Sequence, residues 1–244
     1  MRLLTFVVLL ASACGWAGEQ PKTTAWGPYA MRLEDYHSED GLGGQRLLLI
    51  KDGEETVLAD GVRVRYSLAE VTGEGLPELL VTGYSGGAHC CFSEYVFSLQ
   101  NGRVVTLSAG DWGNGGLLAA RDQNGDGQDE LTFVYVYGYL GGLCYACSPA
   151  LWRTFEWRGG LFVDATRRFP DITRKHMEEA RKALLRETEG DGRRHWAAEY
   201  WINAYALGQG DGAWAWLQTH TEPELRDWLR QQRIVLLRPF SALP

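Results

Sequence analysis

The chain of 244 residues is 45% hydrophobic and 23% charged, with a formal net charge of −7. This is the profile of a globular protein rather than a disordered or fibrous one. A net negative surface repels phosphate backbones and no basic stripe interrupts it, which argues against nucleic acid as a partner.

The N-terminus, MRLLTFVVLLASACGWAGEQ, places Arg2 before an apolar run at 3–11 and then small residues. That is the order of an export signal, and the run is too short to span a membrane. Residues 1–17 are therefore read as a leader. Leu10-Ala11-Ser12-Ala13-Cys14 resembles the lipobox of bacterial lipoproteins, with Ala11 where leucine is usual, so Cys14 is the candidate lipidation site. Ordinary cleavage after Ala13 or near Ala17 is the alternative. Membrane contact is expected only through such a lipid. Export to the periplasm or cell surface puts the remaining four cysteines in an oxidising compartment.

From 28 to 169 the pattern is β. Asp52-Gly53, Asn101-Gly102 and Gly159-Gly160 each sit between β-rich runs, a strong hairpin signal. The chain also aligns on itself. Glu70, Thr72, Gly73, Glu74, Gly75, Glu78 and Leu79 match Asp122, Asn124, Gly125, Asp126, Gly127, Glu130 and Leu131. A Tyr-x-Gly-Gly turn and a cysteine pair follow in both copies. Each unit reads as an acidic loop, an aromatic strand, a Gly-Gly turn, a cysteine pair and a hairpin.

The second acidic loop is the most specific chemical motif. Calcium takes six to eight oxygens. Asp122, Asn124 and Asp126 offer side chains, Gln128 its backbone carbonyl and Glu130 a carboxylate, while Gly125 and Gly127 let the backbone curl. An EF-hand would need glutamate at the twelfth position, where Phe133 stands. The first loop, with Glu70, Thr72, Glu74 and Glu78, is a weaker second site. A loop that closes at the ninth position and runs into a strand resembles FG-GAP or VCBS-type repeats, the blades of integrin-like β-propellers. YSGGAHCC and RGGLFVDATRRFP resemble a family of uncharacterised exported bacterial proteins with such repeats. The resemblance implies a β-fold with structural calcium and no agreed activity. Propellers close with four or more blades, and about two and a half units predict an open, sandwich-like or paired arrangement.

GYSGGAHCCF, residues 83–92, fits the G-x-S-x-G pattern of a hydrolase elbow. That elbow needs a helix after the serine, whereas the sequence here continues as a strand, and the repeat equivalent of Ser85 is Leu140. The glycines therefore read as a turn. Cys90, Cys91, Cys144 and Cys147 read as structural disulfides, with bonds between the two units expected from the repeat. A metal site including His89, or a redox pair at Cys144-x-x-Cys147, are the alternatives.

Residues 170–244 read as a small α-helical unit. Asp171 is the candidate cap of the first helix, and Ala197, Tyr200, Trp201, Ala204 and Leu207 share one face of the second. AWAWLQTH suggests a short third. Thr221-Glu222-Pro223-Glu224 reads as a capping box opening a fourth, with Leu225, Trp228 and Leu229 on its apolar side. The expected fold class is thus α+β: an N-terminal antiparallel β repeat domain followed by this helical unit. The expected function is non-enzymatic, a calcium-stabilised cell-envelope protein that binds a protein or glycan. The alternative is an envelope thiol-disulfide enzyme using Cys144 and Cys147.

Overall fold

The computed structural model describes residues 23–37, 43–87, 91–188 and 190–240. The leader, Cys14, His89 and Cys90 lie outside them. The described residues form twelve strands in three four-stranded antiparallel sheets, each an up-and-down meander. The first sheet holds β1 (Thr24–Trp26), β2 (Tyr29–His37), β3 (Gly43–Lys51) and β4 (Glu54–Gly61). The second holds β5 (Arg63–Ala69), β6 (Glu78–Tyr84), β7 (Phe92–Gln100) and β8 (Arg103–Asp111). The third holds β9 (Gly116–Arg121), β10 (Glu130–Val136), β11 (Ala150–Arg158) and β12 (Leu161–Asp164).

In every sheet the third and fourth strands are joined by the two-residue turn read from the sequence. Both turn residues have positive φ: 52° and 84° at Asp52-Gly53, 52° and 73° at Asn101-Gly102, 62° and 87° at Gly159-Gly160. Such turns match the right-handed twist of the flanking strands, which is why Asn-Gly, Asp-Gly and Gly-Gly select them.

This architecture corrects the expected fold class. The described chain is predominantly β, with three complete sheets rather than about two and a half units, and forms no closed propeller among its described residues. The first unit was undercounted because it lacks an acidic loop. A tight turn at Gly27-Pro28, with Gly27 at φ 57°, joins β1 to β2 instead.

Alternation of side chains builds the stack. Met31, Leu47 and Leu49 of the first sheet pack against Tyr66, Leu79, Val81 and Phe97 of the second. Leu80 and Val96 point the other way, onto Leu131, Phe133 and Phe155 of the third. β6 therefore reads as a continuous apolar run because both its faces are covered. The outer face of the first sheet carries Arg32, Glu34, Arg46 and Glu55 in a paired ladder, with Arg32 to Glu55 at 2.9 Å. A polar outer face ends the stack much as capping repeats end solenoids.

Four helices follow: α1 (Asp171–Arg186), α2 (Gly190–Ala206), α3 (Gly210–His220) and α4 (Pro223–Leu237). They share a core with Tyr137, Leu140, Leu143 and Leu151 of the third sheet and its loop. α2 is buried more completely than one apolar face requires, since Ala198, Glu199, Ile202 and Asn203 are inside as well. The cause lies in β11. β12 pairs only with its last four residues, leaving the earlier edge open. Side chains of the helices close it. Asn203 accepts from the Trp152 N–H at 3.1 Å and donates to the Ala150 carbonyl at 2.9 Å. Glu199 accepts from the Ala150 N–H at 3.0 Å, and Thr173 donates to the Trp152 carbonyl at 3.0 Å. An otherwise exposed strand edge is thus satisfied without another strand.

Two capping expectations are corrected. Pro170, not Asp171, stands at the N-cap of α1, and Asp171 is its first-turn residue. The capping box at Thr221 does not form. Its hydroxyl donates to the Leu217 carbonyl at 2.7 Å and closes the end of α3, while Glu222 occupies the N-cap of α4.

Candidate functional site

The meander order sorts the loops into two ends. Connections between first and second strands, which include both acidic loops, share an end with the tight hairpins. The Gly-Gly and cysteine loops, which connect second and third strands, lie at the opposite end.

At the acidic end the two loops touch. The Glu70 N–H donates to Asp129 Oδ2 at 3.0 Å, and the Asp129 N–H donates back to the Glu70 carbonyl at 2.5 Å. Gly73 leaves room for the side chain of Gln128, which a Cβ there would meet at 2.9 Å. In the second loop the Asp122 carboxylate accepts from the N–H groups of Gly125, Gly127 and Asn124 at 2.6, 3.0 and 3.2 Å. These bonds, that from Gly127 foremost, hold its pKa below the usual carboxylate value. Glu130 is 3% exposed at the foot of the loop and accepts from the Gln123 N–H at 2.8 Å. Burial pushes its pKa up, and the negative charges of Asp126 and Asp122 push the same way.

The donor set suits a hard cation: three carboxylates and an amide on a loop curled at Gly125 and Gly127, with φ of 80° and 86°. The side chains are not gathered on one point, however. Asn124 Nδ2 stands between them, donating to Asp126 Oδ2 at 2.9 Å and Glu130 Oε1 at 3.2 Å. Among the described residues, no three His, Cys, Asp or Glu side chains are already arranged to hold a metal. The first loop is closed differently. Glu78 is 1% exposed and accepts from the Val71 and Thr72 N–H groups, both at 2.9 Å, and from the hydroxyls of Thr72 at 2.8 Å and Ser98 at 3.0 Å. These four donors satisfy the oxygens of its carboxylate. Glu74 has only its backbone in this network, its N–H donating to Thr72 Oγ1 at 3.2 Å.

At the opposite end, Cys144 and Cys147 are bonded to each other, with Cα atoms 5.0 Å apart. This corrects the expected bond between units. The 3₁₀ turn Tyr145–Cys147 brings the pair together locally, and the Ser148 hydroxyl donates to the Cys144 carbonyl at 3.1 Å. Cys91 is also disulfide-bonded. The turn does not begin an α-helix, so Cys144 lacks the helix N-terminus that activates the thiols of C-x-x-C oxidoreductases. Ser85 is a brace: its hydroxyl oxygen accepts the Cys91 N–H at 3.2 Å, and β7 follows where a hydrolase would have a helix.

The same end gathers aromatic rings. Tyr84 packs on Phe92 with centroids 4.9 Å apart, and Tyr139 on Tyr145 at 5.2 Å. Tyr139 is 58% exposed and held at φ 59°, a conformation uncommon for a bulky residue. Gly141 lets α4 approach this loop, since a Cβ there would sit 2.8 Å from Trp228 Nε1, which donates to the Gly141 carbonyl at 3.2 Å.

Two buried carboxyls escaped the sequence reading. Glu94, between the second and third sheets, accepts from the Thr82 hydroxyl at 2.7 Å and the Leu117 N–H at 3.0 Å, and burial pushes its pKa up to about 7. Burial does the same to Glu199, also to about 7. His195 lies 3.6 Å from Glu199 and contacts the Cys147 carbonyl through Nδ1 at 2.9 Å. Alternation marks position 94 as inward-facing in β7, but nothing in the sequence announces its partner at 117.

No protein-family model matches the chain. Over 161 residues, 62% of the chain, it is 30% identical to a probable thylakoid lumen protein of Synechocystis sp., and the match covers 46% of that protein.

Proposed function

We propose that this chain is an exported, non-enzymatic binding protein of the cell envelope, in which calcium in the loop 122–130 fastens stacked repeats of FG-GAP or VCBS type. The observation that carries the reading is that loop itself: buried Glu130 stands at its foot within the field of Asp122 and Asp126, bridged to Asp126 through the Asn124 amide, where the loop meets the neighbouring repeat. A cation there would offset both the burial and the charges of Asp126 and Asp122 that raise the Glu130 pKa, provided the Asn124 amide turns its oxygen inward. Gln128 would contribute its carbonyl. The first loop, already closed around Glu78, would stay metal-free. The lumenal relative supports export, and a lipid on Cys14 would be the membrane anchor.

The opposite end would carry recognition. Tyr139, exposed and packed edge-on against the half-buried Tyr145 on a loop fixed by the Cys144–Cys147 disulfide, suits a protein or glycan partner, because aromatic rings are enriched at interfaces and can stack on sugars. Melting curves test the calcium claim. Calcium bound only to the native state must raise the melting temperature, and a hundredfold excess over Kd adds about 2.7 kcal/mol. The expected result is a rise with calcium, reversed by chelator and lost in Asp126→Asn. Identical curves in calcium and chelator would overturn it.

A further inference from the structure

The cavity of about 410 Å³ between the β11–β12 hairpin, the segment after β12 and the end of α2 belongs to neither loop system. Its polar wall carries Arg158, Arg167 and Arg168 with Glu156 and Asp164. Asp164 is already committed: it accepts from the guanidinium of buried Arg153 at 2.8 Å and from the Thr166 N–H at 2.9 Å. Arg158 and Arg168 share the one carboxylate of Glu156. Arg167 packs against the backbone of Gly208, where a Cβ would lie 3.0 Å from its Cζ. Gly208 also ends α2 at φ 76°, its N–H donating to the Tyr205 carbonyl at 2.9 Å. The opposite wall is aromatic, with Tyr205 edge-on to Phe240 at 5.1 Å.

In a chain of net charge −7, the lining of this hollow carries one more arginine than carboxylates. We propose that it binds a small organic anion, an oxyanion head on the arginines with an apolar body against Tyr205 and Phe240. Guanidinium forks match carboxylate and phosphate oxygens in pairs, and a volume in the range of small-molecule pockets leaves room for a ring.

The test is calorimetric titration of the purified protein with benzoate, phenyl phosphate and neutral benzamide. Arg167→Gln and Arg158→Gln are compared with Arg230→Gln, an arginine that does not line this cavity, and melting temperatures are checked for each. Losing one charge-assisted hydrogen bond weakens binding about tenfold or more. The expected result is saturable binding of at least one anion, none of benzamide, and that weakening in Arg167→Gln or Arg158→Gln but not in the control. Equal binding of benzamide, affinity unchanged in both folded cavity variants, or no binding of either anion would overturn the proposal.

Discussion

Replacing Glu199 by glutamine removes a charge that the native state tolerates poorly. Glu199 is 5% exposed, its Oε2 accepting the Ala150 N–H, and burial raises its pKa from 4.5 to about 7. Between these two values the native state keeps a proton that the unfolded chain has released. Raising the pH through that window therefore removes stability, and above about 7 the whole difference is lost. For a rise of this size the loss is about 3 kcal/mol. His195 at 3.6 Å does not offset it, because burial lowers its own pKa and leaves it neutral at alkaline pH. Glutamine keeps an oxygen for the Ala150 N–H and carries no charge. Urea unfolding at pH 5 and pH 8 reads the effect: Glu199→Gln should gain about 3 kcal/mol over wild type at pH 8 and little at pH 5. A variant with the wild-type pH dependence would refute the reasoning.

Other perturbations probe the fold. Asn203→Ala leaves the Trp152 N–H and the Ala150 carbonyl without partners at the buried edge of β11, and should cost about 3 kcal/mol by urea unfolding. Gly116→Ala places a Cβ 2.4 Å from Glu94 Oε1 at a residue with φ 137°, and should destabilise by about 2 kcal/mol or more. Replacing Cys144 and Cys147 together by alanine opens a short covalent loop and should lower stability by about 2 kcal/mol, seen as a lower melting temperature without reductant.

What the sequence made legible was local chemistry. Asp52-Gly53, Asn101-Gly102 and Gly159-Gly160 need positive φ at adjacent residues, and few dipeptides supply it. The acidic loop was readable because its glycines and carboxylates alternate within nine residues. What depended on partners far along the chain was hidden. Glu199 and Asn203 look like polar residues on the solvent face of a helix until the short β12 exposes the edge they close. The first sheet is hard to see in the sequence because its opening turn carries no motif. Repeat symmetry points to cysteine bonds between units, whereas a single 3₁₀ turn brings Cys144 to Cys147. Thr221 had the spacing of a capping box, but the Leu217 carbonyl claimed its hydroxyl first.

The most direct measurement on calcium in the loop 122–130 is native mass spectrometry of the protein with calcium and after chelation, alongside Asp126→Asn. The expected result is a species heavier by one calcium ion in the wild type, lost on chelation and missing from the variant. A wild-type mass unchanged by calcium, or an increment that Asp126→Asn retains, would contradict the assignment.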